Sequence, residues 1–203
     1  MSDTGQLPGP GQGKAPVRAR ILEARRALPE QVRAAAARRV QAVLCAAVAA
    51  ARPDTITGYV PIGTEPGGPD LPAALAGALG PGGRLLLPVL RPDRALDWVV
   101  YQPPAGRPLS ATDPPGPRLG VAALRSASLV VVPAFAVDRR GVRLGRGGGS
   151  YDRALATVSP GTQVVALLHD GELLDQDLPA EPHDQRVSAV ITPALGLLPL
   201  PAG

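Results

Sequence analysis

Leu129-Val-Val-Val-Pro133 is the stretch that decides the fold. Its apolar residues run on without a polar alternate. A strand with one wet face alternates with a period of two, so this one is predicted to be covered on both faces, as in a parallel sheet layered by helices. Outward from it the pattern repeats. Gln163–Leu168 and Val187–Thr192 read as further strands on the C-terminal side, with a short helix over Tyr151–Val158 before them. On the N-terminal side, Leu96–Tyr101, Arg84–Leu90 and the β-branched run Thr55–Val60 read as strands, with a short helix over Leu71–Leu79. Further back, Val32, Ala36, Val40, Val43, Leu44, Ala47 and Val48 recur at helical spacing up to about Ala51, and Arg38 and Arg39 lie off that stripe. Pro29 followed by Glu30 marks the start of this helix, and an earlier one begins near Lys14–Val17. Strands alternating with helices predict a three-layer α/β/α domain with a mostly parallel sheet, one domain over residues 14–203. Residues 1–13 read as a disordered leader, and the proline-rich stretch 102–118 as loop.

Composition narrows the class. Of 203 residues, 45% are apolar but only 2% aromatic, so the core is aliphatic and stacking rings for single-stranded nucleic acid are scarce. The net charge of +4 is spread along the chain with no basic run, which favours an anionic small molecule over nucleic acid. The 24 glycines and 25 prolines fit long, stiff connections around an ordinary core. A single cysteine, Cys45, cannot form an internal disulfide. With that lone cysteine, no N-terminal apolar h-region and no apolar run of membrane-span length, the protein is predicted to be soluble and cytoplasmic, without a membrane partner. A monomer without a nucleic-acid partner is the further expectation.

Chemistry concentrates in Gly141-Val-Arg-Leu-Gly-Arg-Gly-Gly-Gly-Ser-Tyr-Asp152, between a buried strand and a short helix. Three successive glycines leave backbone N–H groups free to approach phosphate oxygens. Arg143 and Arg146 add fixed cations with forked geometry, and Asp152 is a carboxylate of the kind magnesium shares with phosphates. A glycine run alone reads equally well as a flexible turn; the flanking charges favour the phosphate reading. No G-x-x-x-x-G-K-[ST] motif occurs, and Ser150 interrupts G-x-G-x-x-G, so neither a P-loop nor a dinucleotide site is predicted.

The run from Phe135 to Arg153 resembles the hallmark of the 5-formyltetrahydrofolate cyclo-ligase family, Asp-x-x-Gly-x-Arg-Leu-Gly-x-Gly-x-Gly-Tyr-Tyr-Asp. Lys14-Ala-Pro-Val-Arg18, Tyr59-Val-Pro-Ile-Gly-Thr-Glu65, and His183-Asp184 with the Val187–Pro193 segment resemble other parts of that family in the same order, so the likeness covers roughly residues 14–195. It implies ATP- and magnesium-dependent closure of 5-formyltetrahydrofolate to 5,10-methenyltetrahydrofolate. It also implies roles. Lys14, Arg18 and the segment Arg143, Leu144, Gly145, Arg146, Gly147, Gly148, Gly149, Ser150 and Tyr151 would hold ATP. Val60 and Glu65, with Arg146, Gly147, Gly148, Gly149 and Ser150, would contact the reduced folate. Asp152 and Asp184 would ligate magnesium, and Arg146 would stabilise the transferred phosphoryl group. Ser150 stands where the family carries the first of two tyrosines, which leaves open a non-catalytic relative that binds folate or nucleotide. His169 reads as a structural histidine at a strand end, and Trp98 as core.

Overall fold

The computed structural model describes residues 13–103, 108–181 and 183–201. Of the expected leader only Gly13 is among them; the rest of it lies outside the described residues. Four helices are present among these residues: α1 (Lys14–Ala27), α2 (Glu30–Ala51), α3 (Leu71–Ala78) and α4 (Ser150–Leu155). A 3-10 turn covers Val121–Ser126. The strands are β1 (Thr55–Thr57), β2 (Arg84–Leu90), β3 (Leu96–Val100), β4 (Leu129–Pro133), β5 (Ala136–Asp138), β6 (Arg143–Leu144), β7 (Gln163–Leu167), β8 (Leu173–Leu174), β9 (Ala189–Thr192) and β10 (Gly196–Pro199).

Seven strands form one sheet in the order β10-β9-β7-β4-β1-β2-β3. The five inner strands are parallel, and β3 and β10 pair antiparallel at the two edges. Both edges follow from short connections: Arg91–Ala95 and Pro193–Leu195 are long enough for a hairpin but not for a crossover. β4 is central and buried on both sides, as its composition predicts. Leu129 and Val131 join Val40, Leu44 and Leu75 of α2 and α3 on one face, while Val130 and Val132 join Trp98, Leu124 and Leu155 on the other.

The second face is covered differently from the first. The 3-10 turn, α4 and a separate three-stranded sheet in the order β6-β5-β8 lie over it. Val17 and Ile21 of α1 pack with Ala136, Val142 and Leu144 of that small sheet and the loop joining β5 to β6. The fold is thus α/β with helices on both faces of a mixed sheet, in one domain. Strands of two or three residues such as β5, β6 and β8 are too short to express a period in sequence. At 22 residues α2 is long and apolar enough to cross a membrane, contrary to the expectation from sequence. Its Val40, Leu44 and Val48 are buried against the sheet.

From β1 the chain moves to β2 on one side, then returns to β4 on the other. The carboxyl ends of β1 and β4 therefore diverge around a topological switch point, where a crevice opens in sheets of this kind.

Candidate active site

A cavity of about 370 Å³ occupies that switch point. Tyr59 and Val60, just past β1, form one wall; Pro133, Ala134 and Phe135, at the end of β4, form another. Glu65 enters from the loop after β1, and the segment Gly145–Asp152 closes the remaining side. Val60 and Glu65 line one volume with Arg146, Gly147, Gly148, Gly149, Ser150, Tyr151 and Asp152, although 81 residues separate Glu65 from Arg146.

The glycines of this segment answer different constraints. Gly147 and Gly149 have φ of +93° and +68°, in the left-handed region that favours glycine. At Gly145 the backbone conformation is ordinary, but a Cβ would lie 2.6 Å from Nη1 of Arg143. Arg146 swings across the cavity to Glu65: its Nε and Nη2 both lie 3.0 Å from Oε1. The other carboxylate oxygen, Oε2, accepts the Ile62 N–H at 2.8 Å.

Two of the residues expected at the phosphates are engaged within the fold. Arg143 is no free cation: its side chain is 3% exposed, Nη2 donates to Oδ1 of Asp152 at 2.8 Å, and Nη1 donates to the Pro133 carbonyl. Its guanidinium lies 5.6 Å from the Tyr151 ring centroid. It braces the segment, leaving only Nε without a partner in the structure. Leu144 points away, into the apolar cluster under α1, and its carbonyl accepts the Phe135 N–H at 2.7 Å. Leu144 anchors the segment to the small sheet and presents no side chain to the cavity.

Lys14, Arg18 and Asp184 stand outside this cavity. Arg18 of α1 donates from Nε to the Gly145 carbonyl at 2.7 Å, and its guanidinium lies against Gly147. One turn earlier, Lys14 Nζ donates to Oδ2 of Asp184 at 2.7 Å. Burial pushes the Asp184 carboxyl up, but the Lys14 and Glu181 hydrogen bonds and the Lys14 charge outweigh it and hold the group below its ordinary value. The glycine segment is therefore a partition, with Lys14, Arg18 and Asp184 on the α1 side and Glu65 on the cavity side. Asp152 and Asp184 each face their own cation. No cluster of three or more His, Cys, Asp or Glu residues able to cage a metal exists among the described residues.

Residues 10–193 match the 5-formyltetrahydrofolate cyclo-ligase family. The chain belongs to that family. It is 40% identical over 196 residues to the 5-formyltetrahydrofolate cyclo-ligase of Mycolicibacterium smegmatis, covering 93% of this chain and 98% of the relative. It is 36% identical over 119 residues to the Escherichia coli K12 cyclo-ligase, covering 56% of this chain and 65% of the relative. The structure of a 5,10-methenyltetrahydrofolate synthetase from Mycoplasma pneumoniae superposes with a TM-score of 0.71 at 18% identity, over 90% of this chain and 99% of that one. That of the Aquifex aeolicus synthetase gives 0.68 at 24% identity, over 94% of each. These two likenesses bear on the fold, and the sequence relatives make this family member an enzyme of the cyclo-ligase class.

Sequence reading missed a buried ionic group beneath the cavity of this cyclo-ligase fold. Arg25 of α1 donates from Nε and Nη2 to the two carboxylate oxygens of Glu172, at 2.6 and 2.8 Å, and from Nη2 to the Ala134 carbonyl at 2.6 Å. Its guanidinium lies 5.2 Å from the Phe135 ring centroid. The available signal was His169-Asp-Gly-Glu172, a polar cluster at the carboxyl end of an apolar parallel strand, where sites collect in such sheets. Trp98, by contrast, is core as expected, fully buried on β3.

Proposed function

We propose that this family member closes 5-formyltetrahydrofolate to 5,10-methenyltetrahydrofolate at the expense of ATP, with release of ADP and phosphate. The observation that carries the reading is the partition. One glycine segment is lined by the cations of α1 on one side and by a cavity with an ordered carboxylate on the other, and Arg146 projects from it into the cavity.

The chemistry asks little of side chains beyond position and charge. The formyl oxygen attacks the γ-phosphorus of ATP, and ADP departs. The N10 amine then attacks the carbon of the phosphorylated imidate; phosphate leaves and N10 gives up its proton. Phosphoryl transfer depends chiefly on alignment and neutralisation of charge, so glycine amides and arginines suffice. In this reading Lys14 and Arg18 hold the nucleotide from α1, and Gly147–Tyr151 wrap its phosphates. Val60 and Glu65 hold the folate, the carboxylate accepting paired N–H groups of the pterin. Arg146 lies between the two and serves the transferred phosphoryl group.

Magnesium fits in a limited way. An ion bound chiefly by nucleotide phosphates asks only one or two carboxylates of the protein, and Asp152 and Asp184 are the residues that would supply them. When bound it would neutralise phosphate charge. The chain's own part is to hold Asp152 beside Arg143 and Asp184 beside Lys14.

The reaction is followed by the near-ultraviolet absorbance of methenyltetrahydrofolate in purified protein given 5-formyltetrahydrofolate, magnesium and ATP. Absorbance should rise only with ATP present. A flat trace with every component supplied overturns the reading.

A further inference from the structure

We infer that His169 and Tyr59 are positioning residues for Glu65, gripping the peptide carbonyls on either side of it and so holding its carboxylate for substrate. The inference rests on the reading of Glu65 as the folate contact.

Glu65 lies in a loop without regular secondary structure. Residues 58–70 between β1 and α3 contain no helix or strand, and Gly63, Gly67 and Gly68 all have positive φ. A Cβ on Gly63 would meet nothing within 4 Å, so packing does not restrain that point of the loop. Besides the Ile62–Glu65 turn and the Gln41 bond to the Gly67 carbonyl, two buried side chains hold the residues next to Glu65: Tyr59 at the start of the loop and His169 just past β7. The Tyr59 hydroxyl donates to the Pro66 carbonyl at 2.8 Å. His169 Nε2 lies 3.1 Å from the Thr64 carbonyl. A carbonyl oxygen only accepts, so this contact places the imidazole proton on Nε2. The carbonyls of Thr64 and Pro66 immediately flank Glu65, which is held from before and behind.

Both donors are themselves fixed. His169 and Tyr59 are 5% and 3% exposed, so either would lose its partner out of reach of water if the loop moved. The Tyr59 hydroxyl remains protonated and able to donate, because burial and then the nearby Glu65 charge push its pKa well above the ordinary value. The His169 backbone is locked in turn: its N–H donates to Oε2 of Glu172 at 2.8 Å, the carboxylate that Arg25 grips. A connected path thus runs from α1 through Arg25, Glu172 and His169 to the Thr64 carbonyl.

The test separates positioning from general support. Dissociation of 5-formyltetrahydrofolate is measured by calorimetry without ATP, and KM is measured for both substrates. His169→Ala should weaken folate binding and raise folate KM roughly three- to tenfold, the worth of one buried hydrogen bond. The KM for ATP and kcat at saturating folate should hold. His169→Gln, whose amide nitrogen can stand near Nε2, should recover most of the loss, whereas His169→Asn should not. Tyr59→Phe, which deletes one oxygen, should repeat the alanine effect and carries the test if His169→Ala fails to fold. Unchanged folate binding in both His169→Ala and Tyr59→Phe overturns the inference, as does a parallel rise in ATP KM. Wild-type protein that binds no folate overturns the reading of Glu65 itself, a result distinct from wild-type binding that is indifferent to the substitutions.

Discussion

Arg146 is joined to Glu65 by a shared ion pair and hydrogen bond, with Nε and Nη2 each 3.0 Å from the same carboxylate oxygen. The group assigned to the phosphoryl transfer and the group assigned to the folate are therefore in direct contact. The carboxylate is 10% exposed and the guanidinium 56%, so the pair is anchored from the glutamate side, and the arginine is the partner free to move.

Loss of Arg146 should cost rate far more than stability. Arg146→Ala is expected to lower kcat by about a thousandfold or more, the scale of a transition-state arginine in phosphoryl transfer. Because the guanidinium is largely solvated, unfolding free energy should change by less than about 1 kcal/mol. Absorbance turnover and urea unfolding on one preparation check both halves. Activity near wild type would remove Arg146 from the reaction.

Asp152 should show the opposite balance. Arg143 is buried with Asp152 as its charge partner, so Asp152→Ala leaves a cation stranded in the interior. Breaking such a pair costs about 3–5 kcal/mol, reduced here because Asp152 is partly open to solvent. Urea unfolding reads that cost. If Asp152 also shares magnesium with the nucleotide, the magnesium concentration for half-maximal rate should rise in the variant. An unchanged magnesium curve would leave Asp152 as the brace of Arg143 alone.

The Lys14–Asp184 pair predicts a stability change in acid. The folded carboxyl is held below its ordinary value of 3.8. Its contribution is therefore complete above that value and is lost as pH falls through the lower folded value. For a partly exposed pair the contribution should be about 1 kcal/mol or less. Unfolding free energies of wild type and Asp184→Asn, measured from pH 7 to pH 2, should differ at neutral pH and converge at the acid end. A constant gap would contradict the assignment.

Ser150 begins α4 and lines the cavity. A tyrosine there adds a ring to the wall of a cavity of about 370 Å³. If the ring packs on folate, Ser150→Tyr should lower folate KM severalfold, about the worth of one aromatic contact. The KM for ATP should stay constant. A raised folate KM would mean that the serine side needs the room.

What was legible in sequence follows from what produces a pattern. β4 and the Leu85–Val89 centre of β2 are apolar throughout because both faces are covered, and both strands appear with the limits read from sequence. α2 likewise runs from Glu30 to Ala51. β5, β6 and β8 were not legible, since two or three residues are too few to express a strand's period. The site divides in the same way. Glu65 and the glycine segment belong to local motifs, and they meet in one cavity. The pairing of Arg143 with Asp152 depends on how the segment folds back on itself, which residue types alone do not disclose. His169, read as structural, gains its bond to Thr64 from the neighbourhood of β7 and the β1 loop in space.

The first described helix carries a consequence for how the protein is made. Lys14, Arg18 and Arg25 sit on one side of α1, at spacings of four and seven. They reach Asp184, Gly145 and Glu172, which are 170, 127 and 147 residues further along the chain. Contacts of such long separation form late, because closing the loops between them costs entropy before any bond repays it. During synthesis the helix must wait for almost the whole polypeptide to emerge. Nucleotide-side competence should therefore appear as the last event of maturation, after the central sheet is already in place.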